Sequence, residues 1–297
     1  MVKSSKWTAL GASVRGALHE ENNLNNQDAI RLGNPSSTDD FLVIAIADGH
    51  GSSRSFRSER GSAMAAECAV SMLRQFVRRL GPSAPLSRVR SQARTRWPQA
   101  MITAWKNAVH ADLAKNPFSP LDFAAFPEPP PVIKLDEELP GAAYLAYGAT
   151  LVALAVTRRY ILYSQLGDGD ILTIREGGIV SRPLPKKHEF MSNQTVSLCT
   201  HQAPMHFQIQ VDPCRADAPA MIMLSTDGYA NCFGSEETFF TVGADLLGYQ
   251  HSHGLPLVGK MLEQWLRESS QDGSGDDITV GLAARSGSIH SNGVVSA

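Results

Sequence analysis

Three strongly apolar runs in this chain end in the same dipeptide, and few folds accommodate that repetition. Phe41–Ala47 (FLVIAIA) leads into Asp48-Gly49, Tyr160–Gly167 (YILYSQLG) into Asp168-Gly169, and Met221–Thr226 (MIMLST) into Asp227-Gly228. Short apolar runs with β-branched residues fit strands buried on both faces. Two more acidic spots border such sequence: Asp276-Asp277 directly precedes Ile278–Ala284 (ITVGLAA), and Asp28 ends the loop Asn25-Asn26-Gln27-Asp28. Taken singly, Asp-Gly suits a turn, because Asp bonds its own backbone and Gly accepts positive φ. Asp168-Gly169-Asp170 reads as the tip of a hairpin, whereas Asp48 is followed by a Ser/Arg segment and a helix instead of a return strand.

Taken together, the five spots place carboxylates at the ends of several buried strands, where they converge on one edge of a sheet. Converging like charges in a partly dry site cost several kcal/mol unless a cation neutralises them. Oxygen donors without His or Cys point to a hard ion such as Mg²⁺ or Mn²⁺. Two such ions about 3.5–4 Å apart, sharing a carboxylate, form a recurrent device for phosphoester hydrolysis.

The rest of the chain reads as α+β with mainly antiparallel sheet. Trp7–Gly16 reads as a strand, Leu18–Gln27 as a polar loop, and Ser62–Leu80 as a helix with Met64, Cys68, Met72 and Phe76 spaced four apart. A second helix is expected from about Ser91 to Lys115, with Pro98 near its first turn or at a kink. Residues 116–140 hold seven of the 17 prolines and read as a surface excursion. Gly148–Thr157, Tyr160–Leu166 and Ile171–Arg175 follow through short turns as a meander. His206–Val211 and Ala220–Ser225 are further strands, Leu255–Glu268 an amphipathic helix, and Ile278–Ala284 the closing strand. One domain over 1–297 is expected, with its core at about 7–285 and a flexible tail at 286–297.

Composition excludes several classes. The chain carries 27 Lys+Arg against 29 Asp+Glu, a formal net of −2, which argues against a polyelectrolyte nucleic-acid binder. The balance is uneven: residues 54–96 hold ten arginines and two acids. Solvated helix faces, a docking surface for acidic phosphoprotein segments and nucleic acid are the readings of that stretch, in that order. Arg54 and Arg57, just after the Asp48 turn, are placed to steer phosphorylated substrates. Four cysteines without CxxC spacing, no signal-peptide core and no stretch of about 20 apolar residues lead to the expectation of a cytoplasmic protein without a membrane span. No GxSxG or GxxxxGK[ST] motif occurs. His251 and His253 lack further ligands and read as a solvated loop.

The ordered set NNQDAI (25–30), VIAIADGHGS (43–52), YGATLVALAV (147–156), SQLGDGD (164–170), MLSTDGYAN (223–231) and SGDDITVGLA (274–283) resembles the metal-dependent protein Ser/Thr phosphatases of the PP2C type. Gln-Asp in place of Glu-Asp and GDGD in place of GDSR resemble a divergent bacterial branch. The resemblance implies a four-layer sandwich of two central antiparallel β-sheets flanked by helices. It implies two Mn²⁺ or Mg²⁺ ions and a third, weaker one. Asp48 matches the bridging aspartate, Gly49 the glycine whose carbonyl binds one ion, and Asp227 and Asp276 the carboxylates on the other. Asp28 matches a residue bound to the cluster directly or through water, and Asp168 the ligand of the third ion. The implied reaction is hydrolysis of phosphoserine or phosphothreonine in a protein by a hydroxide bridging the two ions, with His50 as general acid, in a monomer. Three positions depart from the pattern. The phosphate-binding arginine is missing, with Arg15 and His19 as candidates; Gln27 replaces a glutamate; and Asp277 replaces an asparagine and adds negative charge. The alternatives are a phosphatase-like phosphoprotein-binding module without catalysis and a small-molecule phosphoesterase.

Overall fold

The apolar runs form strands because each of their faces meets a different apolar layer. The computed structural model describes residues 7–36, 40–81, 84–119, 122, 141–186 and 196–285. Its strands are β1 (Trp7–Val14), β2 (Ala29–Gly33), β3 (Leu42–Ala47), β4 (Leu151–Val156), β5 (Tyr160–Leu166), β6 (Asp170–Ile174), β7 (Val180–Ser181), β8 (Gln208–Pro213), β9 (Met221–Ser225) and β10 (Ile278–Arg285). The helices are α1 (Ala17–Glu21), α2 (Ser58–Leu80), α3 (Leu86–Lys115), α4 (Gly141–Leu145), α5 (Ala203–His206), α6 (Asp227–Ala230), α7 (Glu236–His253) and α8 (Leu255–Asp272). The strands pair antiparallel throughout, in two five-stranded sheets ordered β1-β10-β9-β6-β7 and β2-β3-β4-β5-β8.

In β3, Val43, Ala45 and Ala47 pack against α2 and α3, while Leu42, Ile44 and Ile46 pack against the other sheet. On that second sheet, Ile222 and Leu224 of β9 face the first, and Met221 and Met223 face α7 and α8. Strands between two apolar layers need apolar residues at every position, which is why these runs do not alternate. The result is the expected α+β sandwich of four layers: α2/α3, sheet, sheet, α7/α8.

Several local expectations are corrected. The chain from Tyr160 to Ile174 is not a meander throughout: β5 and β6 lie in different sheets, so Asp168 sits on a crossover and not on a hairpin tip. The reason is long-range, since Asp170 pairs with Ser225 of β9. The first residues of the expected polar loop Leu18–Gln27 belong to a helix, Ala17–Glu21. The second helix starts at Leu86, behind Pro85, so Pro98 lies in its middle. There it leaves the Arg94 carbonyl without a helical donor, and that carbonyl belongs to an exposed residue. The buried face of α2 is Ala65, Ala66, Ala69, Leu73, Phe76 and Val77, beside the stripe expected from Met64, Cys68 and Met72, which are half-buried. Helix α7 was not anticipated; Ser235 caps it by accepting the Thr238 N–H. His251 and His253 belong to its last turn, where His253 stacks on Tyr249. Most of the 116–140 excursion and the whole 286–297 tail lie outside the described residues.

Candidate metal centre

The register of the two sheets brings the acidic strand ends to one rim. Ala29 pairs with Ala47, Leu151 with Leu166, Val280 with Ser225, and Ser225 with Asp170. The start of β2, the end of β3, the β5–β6 crossover, the end of β9 and the start of β10 are therefore neighbours. A pocket opens there, with Asp48, Asp168, Asp227 and Asp276 on its wall beside His19 and His50. Carboxylate oxygens of Asp48, Asp168 and Asp227 lie within 4.8 Å of one another.

The turn after β3 is pinned from both sides. Asp48 donates its N–H to Thr150 Oγ1 (3.2 Å), and Thr150 returns its N–H to the Asp48 carbonyl (2.8 Å). His50 donates its N–H to the Gly148 carbonyl (3.0 Å) and Gly49 to the Gln27 carbonyl (3.1 Å). The glycines of the three Asp-Gly pairs are there for close approach, and none has positive φ. A Cβ at Gly49 would stand 2.7 Å from the Gln27 carbonyl oxygen, at Gly169 2.8 Å from that of Ser225, and at Gly228 2.2 Å from that of Asp277.

Behind the pocket wall, Asp28 is buried and accepts the Thr226 hydroxyl at 2.7 Å. The Thr226 side chain also accepts the Thr279 N–H (3.0 Å), so one hydroxyl ties the start of β2, the end of β9 and the start of β10 together. Asp277 is buried too. Its Oδ1 accepts the Gly16 N–H (2.7 Å), and its Oδ2 accepts the Gln27 N–H (2.6 Å) and meets His19 Nδ1 (2.9 Å). The extra charge expected from Asp277 is thus present but already engaged by three donors. Of the two phosphate-site candidates, His19 reaches the pocket wall. Arg15 is not part of that wall; its Nη2 donates to the His19 carbonyl (2.8 Å).

The electrostatics follow from crowding. Burial, and then Asp28, Asp227 and Asp168, push the Asp48 carboxyl well above the usual carboxylate range. Burial also pushes Asp28 well up, opposed by the Thr226 hydrogen bond and reinforced by Asp277 and Asp276. Asp276 is raised by burial, against the Asp277 N–H bonded to it. Burial lowers the His50 imidazole. An oxygen-only donor set in which Asp28, Asp48 and Asp276 are pushed toward their neutral forms suits a hard divalent cation, which removes the repulsion and stabilises the charged forms.

Arg57, expected to steer substrates, is engaged by the protein itself. Its Nη1 donates to the Asn116 carbonyl (2.6 Å) and the Tyr147 hydroxyl (2.8 Å), its Nη2 to the Pro117 carbonyl and Asp122 (both 3.2 Å), and its guanidinium lies 4.6 Å from the Phe118 ring centre. It braces the chain after α3 against the segment that carries Gly148. Arg54 is exposed. The hydroxyls of Thr150 and Thr226 escaped the sequence reading as site elements. Their signal was position alone: one lies in GAT before β4, the other directly before Asp227.

Among solved structures, the chain is similar to the Ser/Thr phosphatase Stp1 of Staphylococcus aureus, with a TM-score of 0.57 and 15% identity over 97% of this chain and 98% of that one. It is similar to the catalytic domain of the Ser/Thr protein phosphatase PstP in complex with two manganese ions (TM-score 0.55, 15% identity, 95% and 99% covered). The Mycobacterium tuberculosis phosphatase PstP/Ppp gives a TM-score of 0.53 at 14% identity, with 94% and 98% covered. At these identities the likeness is one of fold. No curated protein sequence matches the chain. The model of the protein phosphatase 2C family matches residues 15–267, a span that takes in Asp28, Asp48, Asp168 and Asp227 and ends before Asp276, and the chain belongs to that family.

Proposed function

We propose that the chain hydrolyses phosphoserine and phosphothreonine in proteins, as one phosphatase domain over 1–297 acting as a cytoplasmic monomer with Mn²⁺ or Mg²⁺. The observation that carries this reading is the convergence of Asp48, Asp168 and Asp227 within 4.8 Å at the rim of the two sheets. Asp48, the Gly49 carbonyl, Asp227 and Asp276 would hold two ions, Asp28 would support them from behind, and Asp168 would hold a third. Bound there, the ions supply an activated water and neutralise the charge of the phosphate.

The remaining work falls to side chains of the chain itself. His50 stands on the pocket wall, its backbone fixed by Gly148, and its imidazole hands a proton to the departing serine or threonine oxygen. Burial disfavours its charged form, so a dianionic phosphate at the pocket mouth assists by favouring the imidazolium. His19, on the pocket wall and held through Nδ1 by Asp277, meets a phosphate oxygen in the role of the missing arginine. No described helix is long and apolar enough to cross a membrane.

The test is turnover of a phosphoserine peptide and of p-nitrophenyl phosphate by the purified chain with Mn²⁺, beside Asp48→Asn. Metal-dependent turnover of both, abolished by the substitution, supports the reading. A wild type as inert as the variant leaves a binding module instead. Activity on small phosphoesters without activity on peptides reassigns the substrate.

A further inference from the structure

The arginines that surround the α2–α3 turn have no part in the metal centre. Helix α2 begins at that centre: Gly49 abuts the Ser58 carbonyl, and Ser62 donates its hydroxyl to the Gln27 carbonyl. Its 23 residues carry it about 33 Å away at about 1.5 Å per residue. Helix α3 returns alongside it, since Trp105 Nε1 donates to the Gly61 carbonyl and Arg60 pairs with Asp112. The last turn of α2 and the first three turns of α3 therefore form a far end. No Asp or Glu occurs in the sequence between Glu67 and Asp112, while Arg79, Arg88, Arg90, Arg94 and Arg96 are all exposed at this end. Arg90 spends Nε on the Val211 carbonyl of β8. Arg79, Arg88, Arg94 and Arg96 have no ion-pair partner among the described residues. Asp212, on the strand that packs against this end, is engaged by Gln210.

We propose that the basic end formed by Arg79, Arg88, Arg90, Arg94 and Arg96 docks an acidic, multiply phosphorylated segment of the same protein whose phosphoserine enters the metal centre. This rests on the phosphatase reading. Four guanidiniums without an ion-pair partner among the described residues are matched by anionic groups that accept in bidentate fashion, phosphate and carboxylate above all. A protein segment suits the patch better than nucleic acid, because the basic end is confined to one helical hairpin and the rest of the chain is net acidic. Spanning about 33 Å takes about ten extended residues, so the docked segment lies at least that far along the substrate from the phosphoserine. Two-point attachment raises the effective concentration of that phosphoserine at the pocket without altering the chemical step.

The test uses the full chain with Mn²⁺ and two peptides: a short phosphoserine peptide, and the same peptide joined through a twelve-residue linker to a tail of Asp, Glu and phosphoserine. KM should be about tenfold or more lower for the tailed peptide. The triple substitution Arg88→Glu, Arg94→Glu, Arg96→Glu should return that KM to the short-peptide value and leave kcat and p-nitrophenyl phosphate turnover as in the wild type. An unchanged KM for the tailed peptide overturns the proposal. Fluorescence anisotropy of the labelled tail alone provides a readout that needs no turnover: tail binding lost in the triple variant supports docking even if the wild type hydrolyses nothing, a result that would sink only the phosphatase reading. Displacement of the bound tail by an oligothymidylate at lower concentration than by unlabelled tail would overturn the choice of partner in favour of nucleic acid.

Discussion

Asp48→Asn should make the metal-free protein more stable while removing its response to metal. The side chain is part-buried, with oxygens of Asp168 and Asp227 within 4.8 Å and Asp28 behind it. Two unit charges at 4.8 Å repel by about 3.5 kcal/mol at an effective dielectric of about 20. Spreading each charge over two oxygens and opening one side to water reduces this to about 1–2 kcal/mol. At about 2–4 °C per kcal/mol, the variant should melt about 2–8 °C higher in EDTA at pH 8. The sign with pH follows from the raised carboxyls of Asp28 and Asp48. Groups whose folded pKa exceeds the unfolded value contribute stability below the ordinary carboxylate range, and lose it as pH rises through the raised value. Metal-free wild type should therefore weaken from pH 5 to pH 8, and the advantage of the variant should shrink at pH 5. Manganese at about a hundred times its dissociation constant should add about 2.7 kcal/mol to the wild type and nothing comparable to the variant. Differential scanning calorimetry in EDTA and in MnCl₂ at both pH values measures all four quantities. A variant that melts below the wild type in EDTA at pH 8, or that keeps the manganese shift, would refute the account of Asp48 as a crowded ligand.

Four further outcomes are expected. His50→Asn should slow a phosphoserine peptide by about 10²-fold or more but p-nitrophenyl phosphate far less, because nitrophenolate leaves without a proton; equal losses in steady-state assays would remove His50 as the acid. Gly61→Ala should cost about 1–3 kcal/mol or more in denaturant melts, since its Cβ would stand 1.8 Å from the Tyr147 carbonyl oxygen. Gly248→Ala in α7, with nothing within 4 Å, should be neutral or stabilising by up to about 1 kcal/mol. Trp97→Phe should cost about 1–3 kcal/mol by stranding the buried Ser164 hydroxyl that now accepts Trp97 Nε1 at 2.8 Å, and adding Ser164→Ala should recover part of that loss in a double-mutant cycle.

What could be read from the sequence was whatever a residue's own neighbours along the chain decide. Burial on both faces shows locally, so β3, β4, β5 and β9 were legible as strands, and the acidic ends of β3, β5 and β9 as a cluster. What could not be read was set by partners distant in sequence. Arg57 looks like a free cation because the groups that hold it, on Asn116, Pro117, Asp122 and Tyr147, lie 59 to 90 positions away. Asp277 looks like an uncompensated extra charge at the site, yet its donors on Gly16, His19 and Gln27 lie 250 or more positions away. The α2 stripe was misjudged because alanines weigh little on a hydrophobicity scale, although their small size is what lets the helix lie close on β3.

The Asp-Gly pairs do not owe their glycines to turn chemistry. Turn chemistry would require glycine for its positive φ, and Gly49, Gly169 and Gly228 do not use it. Each is a glycine because another backbone passes where its Cβ would be: Gln27 and Ser58 at Gly49, Ser225 at Gly169, Asp277 at Gly228. Strands that approach this closely hold the aspartates beside these glycines at short range whatever their mutual repulsion. Asp48, Asp168 and Asp227 are therefore gathered by main-chain packing before any ion arrives, and the cost appears in the raised Asp48 carboxyl, not as a disordered rim. The same reasoning separates two kinds of damage: Gly49→Ala should disturb Asp48 by moving its backbone, lowering stability and manganese affinity together, whereas Asp48→Asn should separate them.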